Sequence, residues 1–385
     1  MKEMKRIGKC IGAVLLCCLL AVGAAAQEQD EAQLSEDVYS FQMMLDGQVY
    51  AFPMTWEQFV QMGWTYDGDP GQTLDAGYYT TSEVFEKGEL ECYVDVINFD
   101  INALPLEQCY VGGISFDEYQ ADKAGGLDLT LPGGLVYAQA VQADAQDAYG
   151  TPSDVYEGEY YTKLTYTYES YREVELQFSA ETGLLNGVSI RNLSQPEDFV
   201  ASPVSQQVPA IVESYQAPQA VGESLGSFAL SYAGCLYQLP APVSAFLDNG
   251  WTLVEDDSEA TVAGRDIGWV TLMYDNQRLR VLAQNYSGQA TAVANCFVTD
   301  VEASDDCKVD ILLPKGITLG MTQEQLEAAL AGETVEKEES SLYTCYEVSC
   351  GERSTDGYEI YLRDAVVYKI TAEHAPRYDD FTGAQ

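Results

Sequence analysis

The sequence predicts an α+β protein made of two tandem copies of one domain, each with helices packed on an antiparallel sheet. The first observation is a repeat: residues 40–66 and 227–253 superpose without a gap, at one constant offset in residue number. Internal repetition at a fixed offset indicates a duplicated chain. The following identical pairs share this first offset: Pro53 and Pro240, Trp64 and Trp251, Asn98 and Asn285, Cys109 and Cys296.

The second observation is that the repeated stretch contains signals for both strands and a helix. Apolar and polar residues alternate around the Asp-Gly pair at 46–47, which is typical of a hairpin with a tight turn. Thr55 and Gln58 then predict a capping box at the start of a helix. Gly63 is expected to end that helix in a left-handed conformation, and Trp64 is expected to lie in the core.

The third observation is that the repeat continues at a second, shorter offset, which relates 127–132 to 309–314, because a connecting loop differs in length. Thr322 and Gln325 predict a second capping box, followed by strands in the last part of each copy. The predicted organisation is a signal peptide at 1–26, a disordered leader at 27–39, a repeat domain at 40–192, a linker rich in Pro, Ser and Gln at 193–224, a second repeat domain at 225–372 and a frayed tail at 373–385.

The N-terminus indicates export from the cytoplasm. Basic residues precede an uncharged apolar run at 11–22, and three alanines at 24–26 form a cleavage site, as in a secretory signal peptide. We therefore expect a secreted or extracytoplasmic protein associated with the cell envelope, with no transmembrane span in the mature chain. The sequence has 61 acidic and 19 basic residues, a net charge of −42 that disfavours nucleic acid as a partner.

Histidine and cysteine usage argues against common catalytic chemistry. The only histidine is His374, in the predicted tail, so a Ser-His-Asp or Cys-His mechanism would depend on it. Zinc hydrolysis with histidine ligands is excluded, because one histidine cannot supply the ligand set. Cys109 and Cys296 are expected to be buried thiols without a shared disulfide.

The acidic loops at 67–71 and 255–257 do not match a twelve-residue calcium loop. We expect no enzymatic activity, no cofactor and no metal, with a carboxylate-based hydrolase as an alternative.

The second half of each copy resembles known secreted and envelope modules, and the motif is clearest in the first copy. Gly134, a helix, the Ala-Tyr-Gly-Thr-Pro segment at 148–152 and the aromatic strands after it resemble the BamE/SmpA envelope lipoproteins and the β-lactamase inhibitory proteins. The second copy departs from this motif at 331–333, where it lacks both the Tyr and the Pro. The whole layout resembles uncharacterised secreted tandem-repeat proteins of Gram-positive bacteria. This resemblance implies protein binding or envelope association and no enzymatic activity.

Tyrosines crowd one predicted sheet of the first copy and give the candidate binding residues. Tyrosine supplies a large contact area at low entropic cost, and the second copy lacks most of these rings. The predicted binding residues are Tyr160, Tyr161, Tyr166, Tyr168 and Tyr171. The expected function is a secreted non-enzymatic binding protein whose unknown ligand is a protein or a cell-envelope component. The alternatives are an envelope-associated structural or assembly factor, a carbohydrate-binding protein and the hydrolase above.

Overall fold

Antiparallel β-sheet dominates the fold, so the prediction of an α+β protein with helices packed on sheets is wrong. The computed structural model describes residues 34–307, 309–351, 353 and 355–381, which leaves the predicted signal peptide outside the described residues. The described residues form thirty strands and six α-helices, and these helices are four to eight residues long. The chain is mainly β because helices of one or two turns cover only a small part of its apolar surface.

The helix starts follow the predicted capping chemistry. The α-helices are α1 Trp56–Gln61, α2 Glu118–Lys123, α3 Gln142–Tyr149, α4 Ala210–Glu213, α5 Val243–Asp248 and α6 Gln323–Ala329. Thr55 Oγ1 accepts a hydrogen bond from Gln58 N at 3.1 Å, and Gln58 Oε1 accepts one from Thr55 N at 2.9 Å. Thr322 and Gln325 make the same reciprocal pair, so both predicted capping boxes are confirmed.

Short 3-10 helices occur at matching places in the two sequence repeats. They are Val38–Ser40, Leu106–Gln108, Pro132–Gly134, Leu225–Ser227, Glu255–Asp257, Val293–Asn295 and Pro314–Gly316. The first two have counterparts at the first sequence offset, and the third has a counterpart at the second offset. Equivalent sequence therefore gives equivalent local structure in both repeats.

The first repeat, residues 40–192, is built around one large sheet. Its strands are β1 Gln42–Leu45, β2 Gln48–Ala51, β3 Met54–Thr55, β4 Thr65–Tyr66, β5 Thr73–Leu74, β6 Tyr79–Lys87, β7 Leu90–Ile97, β8 Leu104–Pro105, β9 Tyr110–Phe116, β10 Leu129–Leu131, β11 Leu135–Val136, β12 Asp154–Glu157, β13 Tyr161–Glu169, β14 Arg172–Ser179 and β15 Leu185–Asn192. The nine-stranded sheet has the order β12-β13-β14-β15-β9-β7-β6-β4, with β3 paired to β9. A four-stranded sheet has the order β11-β10-β1-β2, and β5 pairs with β8.

The second repeat, residues 225–372, divides the equivalent sheet into two. Its strands are β16 Ala229–Tyr232, β17 Cys235–Gln238, β18 Ala241–Pro242, β19 Thr252–Leu253, β20 Thr261–Val262, β21 Ile267–Tyr274, β22 Gln277–Gln284, β23 Thr291–Ala292, β24 Phe297–Val298, β25 Asp300–Ser304, β26 Ile311–Leu312, β27 Thr334–Glu339, β28 Thr344–Ser349, β29 Gly357–Arg363 and β30 Val366–Glu373. The five-stranded sheets have the orders β18-β24-β22-β21-β19 and β25-β30-β29-β28-β27. Where β9 runs unbroken, its counterpart is interrupted at Thr299 between β24 and β25.

Each repeat buries its own apolar core. Trp64 and Trp251 are 1% and 2% exposed, which confirms the prediction that they are core residues. Cys109 and Cys296 are buried and unpaired, and their thiols lie 3.3 and 3.9 Å from the carbonyl oxygen four residues earlier. Burial raises the pKa of each thiol to about 12, so both stay protonated and unreactive at neutral pH.

Two loops of the same construction bring the repeats together. Asn98 and Asn285 are both 1% exposed, and each Nδ2 donates hydrogen bonds to three backbone carbonyl oxygens of its own repeat. Between the loops, Gly264 N donates to Ile101 O at 2.7 Å, and Ala103 N donates to Gly288 O at 2.9 Å. Arg265 Nε lies 3.2 Å from Asp75 Oδ1. The contact between the repeats therefore includes main-chain hydrogen bonds.

The segments predicted as leader, linker and tail also pack against the repeats. Val38 is buried at the end of the leader, most of which lies outside the described residues. In the linker, Ser205 N donates to Ala290 O at 3.0 Å. The tail brings the Phe381 ring to 4.3 Å from the Tyr286 ring and 5.1 Å from the Phe297 ring, between ring centroids. The linker and the tail therefore make tertiary contacts that their polar composition did not indicate.

Candidate functional site

Exposed tyrosines are confined to the first repeat. Within the described residues, eight tyrosines are exposed: Tyr78, Tyr79, Tyr93, Tyr119, Tyr156, Tyr160, Tyr168 and Tyr171. Every described tyrosine after residue 192 is buried or half-buried. Because tyrosine is enriched where proteins contact partners, this asymmetry directs attention to the surface of the first repeat.

The five predicted binding tyrosines do not form one cluster. Tyr166 is fully buried in the core and therefore presents no surface to a partner. Tyr160 is 78% exposed, and the half-buried Tyr161 lies nearby. Tyr168 and Tyr171 are exposed at the far end of β13 and in the turn that follows it.

Ring contacts place Tyr161 and Tyr171 in two separate aromatic pairs. The Tyr161 ring lies 5.6 Å from the Tyr156 ring, and the Tyr171 ring lies 5.7 Å from the Tyr79 ring. Tyr168 lies on the core side of β13, where the Arg172 guanidinium packs 4.3 Å from its ring centroid. Tyr161 and Tyr171 therefore belong to opposite ends of a surface that Tyr168 does not share.

That surface is the solvent-facing side of the nine-stranded sheet, here called the outer face. Directly paired residues on neighbouring strands point to the same side of a sheet. The central row of the outer face, from β13 to β7, is Thr165, Glu175, Ser189, Ser115 and Tyr93. The register places Lys163, Gln177 and Gly187 in the next row, with Tyr156 opposite Lys163 on β12. Tyr161 and Thr167 lie six positions apart on β13, a length of roughly 20 Å.

The central charges of the outer face are paired. Lys163 Nζ lies 2.6 Å from Glu175 Oε1, and Arg191 Nε lies 2.7 Å from Asp95 Oδ2. Glu173 Oε1 is 3.5 Å from Arg191 Nη1. These pairs leave little uncompensated charge at the centre of the outer face, in contrast to the strongly acidic chain as a whole.

A cavity of about 240 Å³, here called the trough, opens on the outer face beside α2. Its lining includes the small residues Ser115, Gly187 and Ser189. Longer side chains also line the trough, among them Tyr93, Gln120, Lys163, Glu175 and Gln177. Small residues at the centre, with longer side chains around them, make a recess that fits a side chain or a short peptide segment.

Gln120 on α2 is a buried polar residue beside the trough. The side chain is 1% exposed, and its Oε1 accepts a hydrogen bond from Asp117 N at 2.9 Å in a capping box. Its Nε2 has no hydrogen-bond partner within the described residues. A buried amide donor without a partner costs free energy, and Nε2 of Gln120 has no surface open to a ligand.

The sequence reasoning missed Tyr93, Gln120 and the whole of α2. Helix α2 lies in the stretch that is longer in the first copy, where the first offset gives way to the second, and the corresponding residues 305–307 form a turn. The available signal was the Asp-x-x-Gln pattern of Asp117 and Gln120, a capping box like the one recognised at Thr55. No local signal shows that this helix flanks the small residues of β9 and β15.

The equivalent face of the second repeat has larger and more acidic side chains. Asp300, Glu302 and Lys369 occupy the register positions of Gly113, Ser115 and Gly187. Burial, with a further contribution from Glu302, raises the pKa of Asp300 to about 6. Glu373 faces Asp300 across the strands, and its pKa is also raised, first by burial and then by Asp300.

We expect Asp300→Asn to stabilise the protein at neutral pH. The raised pKa means that the folded state binds this proton more tightly than the unfolded state, so the contribution of Asp300 to stability is fully present below about pH 4 and is lost as the pH rises through about 6. Asparagine removes that decline, and the expected gain near pH 7.5 is about 1–2 kcal/mol after allowing for partial solvent screening. Urea unfolding at both ends of this pH range measures the effect.

The control is Asp306→Asn, which changes an exposed carboxylate on the neighbouring turn and is expected to leave the pH profile unchanged. Equal pH profiles for Asp300→Asn and the parent protein would show that ionisation of Asp300 does not destabilise the folded state. A gain of the same size in Asp306→Asn would instead indicate a general effect of net charge.

His374, the residue on which several catalytic mechanisms would depend, is packed between a carboxylate and an aromatic ring. Its Nδ1 lies 3.1 Å from Asp356 Oδ1, and its ring stacks on Phe228 with centroids 4.0 Å apart. Burial lowers the pKa of His374 despite the opposing effect of Asp356. Among the described residues, no hydroxyl or thiol donates a hydrogen bond to this ring. The pair therefore lacks the positioned nucleophile that a catalytic triad requires.

Comparisons with protein-family models and with curated proteins find no match to this chain. The resemblance to envelope and inhibitory modules therefore stays a prediction. None of the helices in the described part of the chain has the length and hydrophobicity to traverse a bilayer.

Proposed function

We propose that the protein is a secreted, non-enzymatic binding protein that recognises a protein partner through the outer face of the first repeat. The observation that carries this proposal is the restriction of all exposed tyrosines in the described residues to that repeat. The outer face has tyrosines at both ends and paired charges at its centre, a composition that suits a protein interface.

Site-specific photo-crosslinking tests this proposal. A benzophenone-bearing amino acid is placed at Tyr156 or Tyr171, which lie at opposite ends of the outer face and are 50% and 58% exposed. The variants are incubated with medium and envelope fractions of the producing cells. We expect both positions to crosslink the same protein, because a partner covering the outer face contacts both ends.

The matched control places the same group at Trp269, an aromatic residue of the second repeat that is 44% exposed. Once the partner is identified, Tyr156→Ala and Tyr171→Ala should each weaken its binding about 30-fold, since an aromatic anchor contributes about 2 kcal/mol. The melting temperature should not change. A product from Trp269 alone, or undiminished binding by both alanine variants, would refute the assignment of this face.

A further inference from the structure

We propose that β12, the edge strand of the nine-stranded sheet, binds an extended and positively charged segment of the protein partner, which adds to the sheet as a further antiparallel strand. This inference rests on the proposed function and states how the partner is held at the Tyr156 end of the outer face. It follows from the open backbone of β12, from the side chains on its two sides and from their charge.

The backbone of β12 is open on the side that faces away from β13. β12 is the first strand in the order of the sheet, and all four of its residues are exposed. Gly158 N donates a hydrogen bond to Tyr161 O at 2.9 Å, which closes the hairpin between β12 and β13. Because the direction of hydrogen bonding alternates along an antiparallel strand, Tyr156 then bonds β13, and the N–H and C=O groups of Val155 and Glu157 point outward. An added strand can pair with these outward groups.

Side chains on both sides of β12 offer contact area to such a strand. Val155 is 46% exposed and Tyr156 is 50% exposed. Tyr156 lies on the outer face, where its ring is 5.6 Å from the Tyr161 ring, and Val155 lies on the core side, paired in register with the buried Leu164. Side chains of an added strand alternate between these two sides. The complementary segment therefore has an apolar residue opposite Val155 and an aromatic residue opposite Tyr156.

The charges of β12 favour a basic segment. Asp154 and Glu157 are paired in register with threonines of β13, so no cation stands opposite them on that strand. The lysine of β13, Lys163, is bound to Glu175 at 2.6 Å. Lys or Arg residues of the partner would complement both carboxylates, since opposite charges on neighbouring strands attract. A second copy of this chain would instead bring the same two carboxylates on a protein with a net charge of −42, which disfavours self-pairing.

The corresponding edge strand of the second repeat, β27, carries charged residues where β12 carries Val155 and Tyr156. β13 corresponds to β28 at the second offset, and the register of each with its edge strand puts Lys337 and Glu338 in those two places. Lys337 Nζ lies 2.8 Å from Glu339 Oε1 along the same edge. Charged side chains, and lysine in particular, protect edge strands against pairing. The first repeat has valine in place of this lysine, so its edge is the one open to a partner.

Titration of the full chain with the peptide acetyl-Thr-Lys-Tyr-Val-Lys-Thr-amide tests the inference. In antiparallel pairing its Val meets Val155, its Tyr meets Tyr156, and its two lysines meet Asp154 and Glu157. Hydrogen exchange followed by NMR is the measurement. We expect saturable binding that protects the Val155 and Glu157 amides from exchange, while the Tyr156 amide, already bonded to β13, changes little. Absence of saturable binding, or binding that leaves both outward amides unprotected, would overturn the inference.

N-methylated peptides test the backbone pairing on the unchanged protein. Methylation of the peptide's Val nitrogen removes the N–H that donates to Val155 O, and it is expected to weaken binding about tenfold or more. Methylation of the peptide's Tyr nitrogen is the matched control, because that N–H points away from β12, and it should bind like the parent peptide. A peptide with Glu in place of both lysines should also bind more weakly. Equal affinities for all of these peptides would overturn the inference.

Exchange of one edge residue between the repeats assigns the site to β12. Val155→Lys installs the lysine found at the equivalent place of β27, and it is expected to weaken peptide binding about tenfold or more, because it repels the peptide's lysines. Its matched control, Lys337→Val, makes the reverse change in β27 and should leave the exchange protection of the β12 amides as in the parent protein. Unchanged binding by Val155→Lys, or equal losses in both variants, would overturn the inference.

The outcomes distinguish this inference from the proposed function. A partner that is crosslinked from Tyr156 and Tyr171 but binds Val155→Lys like the parent protein would leave the outer face as the interface and remove strand addition. Peptide binding that Val155→Lys abolishes, without a crosslink from either position, would support the edge site while refuting the outer face. Dimerisation of the parent protein in sedimentation, abolished by Val155→Lys, would identify a second copy as the occupant and overturn the inference.

Discussion

Replacing Gly264 with alanine is expected to disrupt the contact between the repeats and destabilise the protein by about 3 kcal/mol or more, the upper part of the range for overpacking. A Cβ atom at this position would lie 2.3 Å from Gly288 O and 2.7 Å from Ala103 N. Both atoms belong to the backbone, which cannot move aside as a flexible side chain would. Their displacement also breaks the hydrogen bond that joins them at 2.9 Å.

Gly288→Ala is the matched control in the same contact. A Cβ there would have no heavy atom within 4 Å, so the expected change in stability is within about 0.5 kcal/mol. Calorimetry compares the melting temperatures, and limited proteolysis reports whether the linker at 193–224 becomes more accessible. If Gly264→Ala melts like Gly288→Ala, the contact between the loops does not contribute to stability.

The second large effect is expected at Tyr166, the predicted binding residue that lies in the core. Tyr166→Ala should cost about 3–5 kcal/mol of unfolding free energy, because it removes a fully buried ring. Tyr166→Phe should cost nothing and is expected to stabilise slightly, since the buried Tyr166 hydroxyl has no partner in the described residues. The ring itself, 5.3 Å from the Tyr149 ring, is retained in that variant.

Tyr160→Ala provides the comparison, because Tyr160 belongs to the same predicted set but is 78% exposed. Its expected effect on stability is within about 0.5 kcal/mol. Urea denaturation of the three variants measures these differences. Similar losses for Tyr160→Ala and Tyr166→Ala would show that exposure does not distinguish their roles.

Local chemistry made the turns and helix ends predictable from the sequence. The hairpin turns have positive φ at both central residues, 50° and 74° at 46–47 and 50° and 77° at 233–234. Gly63 and Gly250 end their helices with φ of 98° and 92°. Each feature depends on a few neighbouring residues, so a short sequence pattern is enough to specify it.

The fold class and the proposed binding surface depend on distant contacts and were harder to predict. Capping boxes locate helix starts but do not show what share of the core a helix of six or seven residues covers. Alternation along β13 put Tyr166 and Tyr168 on one face, but it could not show that this face is the core side. That distinction requires the pairing of β13 with β14 and, through β15, with β9.

During synthesis the N-terminus emerges first, so the strand order of the sheets determines when each repeat can form all of its strand pairs. In the first repeat β9 pairs with β15, so every strand of the large sheet is available once residue 192 has appeared. In the second repeat β25 pairs with β30, and Phe381 then covers Tyr286 and Phe297. The first repeat can therefore complete its large sheet once residue 192 is present, whereas the second repeat does not complete its packing until residue 381 is present.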